Sequence, residues 1–446
     1  MVLSADEAVD KARELLGIRE TERPRLDRIR EYLRDDPNRR LSGLPQDTPP
    51  ELHRLAKLSR VNMLKFVVGG RVQSMFVDGL RLPRQADNVP AWQVWQANRM
   101  DARQIGVHRA AVAYGAAFVT VLPGKRAGEP MPVLRGVSPR QLTAAYASDD
   151  DWPQYALEKR RRGWRLYDAE AVYELTGDDA DGLKQVGNPA EHGAGVCPVI
   201  RVRDSDDLDD EVTGVVEPLM ILQDQINITT FGLLTAQHYG AFKQRYVIGW
   251  LAESEQVRLK ASASRFLTFE DPEVKVGEFG ETTLAGYIAS REATIRHLAT
   301  ISQTPAHELL GQLVNLSAEA LAAAEASHRR AVRETQTVAG EAWEQVLQLS
   351  GEMIGAEVPV DAEVRWRDTE SRSLAQTADA LGKIATMLGV PPAELWELLP
   401  GVSQQQVERW RAAAAEGDAF AQLNGLLERQ ATELASQPAV EPAQSA

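Results

Sequence analysis

Side chains that could perform catalysis or hold a metal ion are few in this sequence, and their spacing suits neither task. The seven histidines form no HExxH motif or other close ligand pair, and a single cysteine argues against a zinc cluster. The chain also lacks a P-loop, a GxGxxG motif after a strand and a GxSxG elbow. His307 is interpreted as a polar loop residue and not as a general base. The sequence therefore predicts no catalytic residue, no metal ligand and no cofactor.

Composition limits the function classes further. The 446 residues suffice for roughly two to four domains, and 43% hydrophobic content suffices for real cores. A net charge of −14 argues against a protein that grips nucleic acid over its whole surface. No run of about 18 apolar residues is present, so we expect a soluble protein without a membrane partner. Cys197 suits a reducing cytoplasm and is expected as a buried thiol at a strand edge.

The elements that would position any functional residue are clearest in a helical hairpin near the middle of the chain. Periodicity predicts a helix over residues 283–303 with one apolar stripe. Pro305 and Gly311 interrupt the pattern, and Ser317 stands where an N-cap would begin the next helix. That helix is predicted over residues 318–350, about 50 Å long, with Gly351 as its end. The stripe of the first helix consists of Leu284, Tyr287, Ile288, Ile295, Leu298 and Ile301.

The long helix has few large apolar residues and much alanine, with charged side chains between them. This composition favours a helix wedged between similar copies over one at the centre of a monomeric core. We assign Ala323, Arg330 and Trp343 to this spine and its subunit interface. Trp343 is expected to be an apolar anchor that packs on the helical tail.

The first half of the chain changes from helical to strand periodicity. Charged helices are predicted at residues 5–16 and 26–33 and an apolar helix at 51–66, which form arms and not a core. A helix carrying Trp92 and Trp95 then passes through Gly115 into a region of period two, typical of an antiparallel sheet or small sandwich. Its predicted strands cover residues 117–122, 133–137, 141–146, 154–159, 164–167, 171–175 and 199–202.

An acidic run at residues 204–211 closes the strand region. We interpret it as a solvated loop, with a cation site as the alternative. A helix over residues 215–239 follows, and short strand segments then return the chain to the helix at residue 283. A linker strand is predicted at residues 362–370 and a disordered end after the tail. The helical segments of that tail are predicted at residues 374–388, 393–398, 403–416 and 419–434.

The order of these parts resembles the portal proteins of tailed double-stranded DNA bacteriophages with long non-contractile tails, the actinobacterial ones especially. Residues 216–250 are similar to the family's first stem helix leading into its clip. Residues 301–325 are similar to the end of the second stem helix, the tunnel loop and the start of the spine helix. The resemblance covers residues 41–434 and depends on the order and spacing of the parts, not on an invariant signature.

The resemblance implies an elongated, multi-domain α+β fold that assembles into a ring. It has a β-rich wing, two stem helices flanking a small clip, a long spine helix and a helical crown. The implied boundaries are an N-terminal helical arm at 1–50, the wing at 51–214, the first stem helix at 215–245, the clip at 246–281, the second stem helix at 282–303, the tunnel loop at 304–317, the spine helix at 318–351, the linker strand at 352–373, the crown at 374–436 and a disordered tail at 437–446.

The resemblance also implies functional positions. Arg291, Arg296 and His297 on the second stem helix are candidate DNA contacts, with salt bridges between subunits as the alternative. The tunnel loop would contribute Pro305, His307, Gly311, Gln312, Asn315 and Ser317. The clip, which would dock the packaging motor and later the adaptor, contains Tyr246, Arg258, Lys260, Arg265, Phe269 and Lys275.

The implied partners are further copies of the chain in a ring of roughly twelve subunits, which needs a heterologous interface that closes by rotation. The others are double-stranded DNA in the channel, the terminase large subunit, the head-tail adaptor, and the major capsid and scaffolding proteins. The implied location is one capsid vertex of the virion, after assembly in the host cytoplasm. Two alternatives stay open: a hydrolase with an unrecognised site in the β-rich domain, and a virion scaffold or adaptor without a channel.

Overall fold

The structure is a computed structural model whose described parts cover most of the chain. They are residues 2–34, 44, 47–82, 90–147, 152–177, 180–209, 212–240, 245–248, 266–269, 275–278, 283–311, 318–367, 374–399, 401–402 and 405–416. Within these ranges, no helix combines the length and the apolar content that a membrane span requires.

The chain begins with one long helix, α1 (Ala5–Leu33), which a capping box between Ser4 and Glu7 starts. The prediction of two helices in this region is wrong, because α1 continues through Pro24. Leu15 and its neighbours pack on a β-sheet, and the second half of α1 enters the main core. α1 is therefore part of the packed body, in contrast to the expected arm.

Four further helices precede the first large sheet. The expectation of a single helix over residues 51–66 is wrong, because the Asn62 side chain accepts a hydrogen bond from the Lys65 N–H at 3.0 Å and caps a new helix. Arg99, in the left-handed region at φ 55°, separates the next two helices. The four helices are α2 (Pro50–Leu58), α3 (Met63–Gln73), α4 (Pro90–Ala97) and α5 (Met100–Tyr114).

Gly115 turns the chain from α5 into the first sheet. Its φ is 92°, a conformation that favours glycine. A Cβ atom at this position would lie 2.8 Å from the carbonyl carbon of Thr213. A larger residue would therefore displace the backbone that precedes the stem.

Two antiparallel sheets form the β-rich domain, as the alternating pattern predicts. One has the order β12, β2, β5, and the other has the order β10, β9, β8, β7, β6, with β11 also paired to β9. Phe118 and Val199 of the first sheet share a buried cluster with Tyr167 of the second and with Cys197. The predicted burial of the Cys197 thiol is confirmed. The strands to this point are β1 (Val77–Arg81), β2 (Ala116–Leu122), β3 (Lys125–Arg126), β4 (Glu129–Pro130), β5 (Val133–Val137), β6 (Leu142–Tyr146), β7 (Pro153–Lys159), β8 (Trp164–Tyr167), β9 (Ala171–Thr176), β10 (Lys184–Gln185), β11 (Ala190–Glu191) and β12 (Val199–Arg203).

Two helices then flank a small sheet, in the order that the sequence predicts. The helices are α6 (Met220–Gly240) and α7 (Ala285–Ile301). In the sheet, β13 lies in the middle, parallel to β14 and antiparallel to β15. Its strands are β13 (Arg245–Ile248), β14 (Phe266–Phe269) and β15 (Lys275–Glu278).

A short helix, α8 (Ala306–Leu310), and the long helix α9 (Ala318–Met353) come next. The 36 residues of α9 give it a length of about 54 Å. The predicted end at Gly351 is wrong, since α9 continues past it by two residues. Gly351 is needed for another reason: a Cβ atom there would collide with the Ala356 carbonyl oxygen, where the chain folds back on the helix.

A two-stranded ladder joins distant parts of the chain. β16 (Glu363–Trp366), which lies in the predicted linker strand, pairs antiparallel with β1. The sequence does not predict β1. Asp78 on β1 accepts hydrogen bonds from Arg365 Nε at 3.0 Å and Arg367 Nε at 3.3 Å. The helical tail then contains α10 (Leu374–Leu388), α11 (Pro392–Leu395) and α12 (residues 405–416). The predicted helix over residues 419–434 lies outside the described residues.

Candidate functional site

The two stem helices, α6 and α7, pack side by side and are anchored in the main core at one end. Gly232 permits the close approach, because a Cβ atom there would lie 3.0 Å from the Tyr287 ring. Ile226 of α6 and Leu298 of α7 are fully buried. Gln223 accepts a hydrogen bond from the Met63 N–H at 2.9 Å and so joins α6 to α3. The helix pair is therefore held firmly at its base.

The stem helices also present large apolar side chains to solvent, both near this base and farther along the pair. Ile221 is 69% exposed, Ile288 47% and Ile301 56%. Ile228, Tyr239 and Tyr287 are exposed as well. The apolar stripe predicted on α7 is thus divided, since only Ile295 and Leu298 of its members are buried. Several exposed apolar side chains along one helix pair are typical of a surface that another protein covers.

The three candidate DNA contacts lie on α7, but they differ in their surroundings. Arg296 is exposed and its guanidinium donates to the Glu292 carboxylate at 3.0 Å, one turn earlier on the same helix. His297 is also exposed. Arg291 is half-buried, and its Nε has no hydrogen-bond partner among the described residues. Arg296 therefore has an ion pair inside its own helix, and all three assignments stay predictions.

The structure describes the entrance to the predicted tunnel loop. Pro305 is buried at the N-cap of α8, and Gly311 ends α8 in the left-handed region at φ 64°. Just before them, the buried Ser302 hydroxyl bonds to the Thr304 hydroxyl at 2.9 Å. His307 is half-buried on α8. The other predicted loop residues, Gln312, Asn315 and Ser317, lie outside the described residues.

The predicted clip is described only through the backbone of its three strands. Tyr246 stands opposite Gly277 in the antiparallel pair, and Phe269 and Lys275 are both partners of Ile248. Arg258, Lys260 and Arg265 lie outside the described residues.

The long helix α9 has two different environments along its length. Its first part is exposed at Ala323 and Arg330, and the subunit contact assigned to them stays a prediction. Trp343 in its second half is fully buried within the chain, so its assignment to a subunit interface is wrong. Its expected packing on the helical tail is wrong too, because its ring packs edge-on against Trp95 of α4, with ring centroids 5.0 Å apart.

Trp343 is fixed by a histidine that the sequence does not single out. The indole Nε1–H donates to His108 Nε2 at 2.8 Å, while His108 Nδ1 lies 3.3 Å from the Met75 carbonyl oxygen. The ring must therefore be neutral, with its proton on Nδ1. Burial lowers the pKa of His108 to about 4, which agrees with this tautomer. An isolated histidine gives no sequence pattern that would reveal such a role.

One member of the acidic run also departs from its prediction as a solvated residue. Asp204 is buried, and its carboxylate accepts hydrogen bonds from Thr335 Oγ1 of α9 at 3.1 Å and from Arg71 of α3 at 3.3 Å. Burial raises the pKa of the Asp204 carboxyl, and Arg71 acts in the opposite direction. Asp204 thus joins α3, the end of β12 and α9.

Comparison with known proteins identifies the family of this chain. A family model described as a phage portal protein, SPP1 Gp6-like, matches residues 13–419. The chain belongs to this family of phage portal proteins. The portal function predicted from the order of the helices and strands is therefore confirmed.

Individual relatives of this portal family member are similar over most of their length. The portal protein of Mycobacterium phage L5 is 26% identical over 407 residues, covering 84% of this chain and 83% of that protein. The portal protein of Mycobacterium phage D29 is 24% identical over 414 residues, covering 83% and 82%. Among solved structures, a chain from the virion of a native gene transfer agent particle is 15% identical, with a TM-score of 0.49, covering 80% of this chain and 95% of that one.

Proposed function

We propose that copies of this chain assemble into a closed ring around a channel through which double-stranded DNA passes. The exposed apolar side chains of α6 and α7 support this proposal most directly, because they belong to helices that are firmly anchored at one end. A neighbouring copy would cover these side chains through a heterologous interface, and rotation would close the ring at roughly twelve subunits. The exposed first part of α9 offers a second surface for the same contact.

The charge of the chain suits a passage for DNA. With a net charge of −14, the ring repels phosphate, and the polymer can slide without being trapped by many lysine and arginine contacts. Arg291 and His297 on α7 would add brief phosphate contacts, whereas Arg296 would first have to leave Glu292. The loop at residues 304–317 would lie at the channel, which makes it the segment closest to the moving DNA.

The small sheet of β13, β14 and β15 would be the docking site for the other proteins that act at the portal. In sequence the sheet follows the end of α6 and precedes the start of α7, the two helix ends away from the anchored base, and this order supports a protruding docking site. The terminase large subunit would bind there during packaging and the head-tail adaptor afterwards. The β-rich domain would face the major capsid and scaffolding proteins at one vertex of the virion, after assembly in the host cytoplasm. No catalytic step is part of this proposal.

Negative-stain electron microscopy of the purified full-length chain tests the central claim. We expect rings with a central hole, and gel filtration should give a single assembly many times the mass of the 49.1 kDa subunit. Monomers or dimers at concentrations where the protein is otherwise well folded would contradict the proposal. Filaments or solid particles without a hole would favour the scaffold alternative.

A further inference from the structure

Three side chains with metal-binding atoms, two on α8 and one on α9, lie close to one another. His307 and Glu308 lie on α8, before residues 312–317, and Glu325 lies near the start of α9, after them. One ligand atom of each, an imidazole nitrogen or a carboxylate oxygen, lies within 4.8 Å of the other two. The three residues therefore link α8 to α9, which are separated in sequence by residues 311–317.

A fourth residue, His328 on α9, has a ring nitrogen that is free to bind a metal ion. His328 follows Glu325 by three residues, a Glu-x-x-His spacing that places both side chains on one face of a helix, as in metal sites built from helices. Its Nδ1 is buried and has no hydrogen-bond partner within the described ranges. The ring bonds instead to the backbone of Gln303, which leaves Nδ1 as a free acceptor.

The contact between the His328 ring and the Gln303 backbone is of the kind that supports metal binding. Metal-binding histidines generally donate their other N–H to a carbonyl or carboxylate, which fixes the tautomer and the orientation of the ring. Because Nδ1 has no partner among the described residues, the contact with Gln303 is made by the other ring nitrogen, and the Nδ1 lone pair stays available.

We propose that His307, Glu308 and Glu325, with His328 as the fourth ligand, bind a divalent transition-metal ion such as Zn²⁺. Two imidazoles and two carboxylates are a ligand set that Zn²⁺ accepts in tetrahedral geometry. Ligand atoms in such a site lie roughly 3.3 Å apart. Atoms of the cluster that are now as far as 4.8 Å apart would therefore approach each other by up to about 1.5 Å on binding. The exposed Glu308 side chain has the freedom to make that movement.

The bound ion would tie α8 to α9 and fix the base of the tunnel loop. This site differs from the sequence expectation of no metal ligand, which is based on motifs confined to one segment. Here the ligands come from two segments, and only Glu325 and His328 form a recognisable pair.

Zinc titration of the purified full-length chain against a chromophoric chelator tests the proposal. We expect one saturable Zn²⁺ per subunit, and at least a tenfold weaker affinity in His307→Ala, Glu325→Gln and His328→Ala. The matched controls are His297→Ala, an exposed histidine on α7, and Glu341→Gln, an exposed glutamate on α9. Both controls should bind Zn²⁺ as the unchanged chain does.

Spectroscopy of the cobalt-substituted protein gives a second readout that a merely structural effect would not change. Co²⁺ should give visible absorption bands of a four-coordinate site with nitrogen and oxygen ligands, and His307→Ala should abolish or shift them. Absence of saturable Zn²⁺ binding, or equal affinity in the three site variants and the two controls, would overturn the proposal. Neither readout depends on ring formation, so a failure here leaves the proposed channel function untouched.

Discussion

The core around Trp343 and the stem formed by α6 and α7 are both built from amphipathic helices, but they complete their packing in different ways. Trp343 packs against Trp95 and donates a hydrogen bond to His108 within a single chain, and all three side chains are fully buried. Ile288 and Ile228 on the stem helices face solvent instead. The comparison indicates that one region stabilises the subunit, while the other is completed only by assembly.

The largest effect that would sharpen this comparison is expected from Trp343→Ala. Removing the indole leaves a cavity and deprives His108 Nε2 of its donor, which should lower the free energy of unfolding by about 3–5 kcal/mol. Urea unfolding followed by circular dichroism measures the change. Trp410→Ala is the control, because Trp410 is 38% exposed, and it should cost about 1 kcal/mol or less. Equal losses in the two variants would contradict the assignment of Trp343 to the core.

A second prediction concerns the pH dependence of the core. The pKa of His108 falls from its ordinary value of 6.5 to about 4 on folding, so the unfolded chain binds more protons between these pH values. The contribution of His108 to stability is therefore complete above pH 6.5 and is lost as the pH falls toward 4. At about 1.36 kcal/mol per pKa unit, the loss is about 3 kcal/mol.

Unfolding measurements at several pH values in this window test the prediction. His108→Gln keeps an acceptor for the Trp343 indole but cannot titrate, so its free energy of unfolding should vary less with pH. Other buried histidines, such as His192, contribute equally to both proteins, and the difference between them isolates His108. Parallel pH profiles would show that His108 does not carry the effect.

The smallest effect on subunit stability is expected in the stem, where the effect on assembly should be large. The double variant Ile228→Glu, Ile288→Glu should change the free energy of unfolding by about 0.5 kcal/mol or less, because both side chains are exposed in the single chain. Rings should nevertheless fail to form, since two carboxylates would be buried in an apolar contact. Mass photometry gives the distribution of assemblies.

Leu208→Glu is the matched control for this variant. Leu208 is a fully exposed apolar residue in the acidic run at residues 204–211 and belongs to neither stem helix. Its substitution should leave the rings intact. Intact rings in the stem variant as well would break the comparison, because the stem helices would then face solvent in the assembly.

The sequence predicts elements whose signal is local, and it fails where distant residues decide the structure. The strands of the β-rich domain and the long helix follow from periodicity and turn residues. β1 does not, because Val77–Arg81 includes Gly79 and becomes a strand through its partner β16. Asp204 is indistinguishable from its acidic neighbours in sequence, and its burial is stabilised by the hydrogen bonds from Arg71 and Thr335.

The candidate site shows the same limit. The apolar stripe on α7 is visible in the sequence, but periodicity does not separate Leu298, which the core buries, from Ile288, which it does not. Trp343 is recognisable as an anchor, whereas its partner His108 comes from a helix more than two hundred residues earlier. Residue types thus indicate which side chains need a partner, and the fold alone determines whether that partner lies in the same chain.

The ladder between β1 and β16 can form only late in the synthesis of the chain. The two strands are separated by about 280 residues, and ribosomes add roughly 5–20 residues per second, so β16 is made on the order of 15 to 60 s after β1. Throughout that interval β1 of the nascent chain lacks the strand with which it pairs in the folded subunit. Completion of this ladder is therefore delayed until β16 has been translated, and a ribosome that stops before that point releases a chain whose first strand cannot be paired.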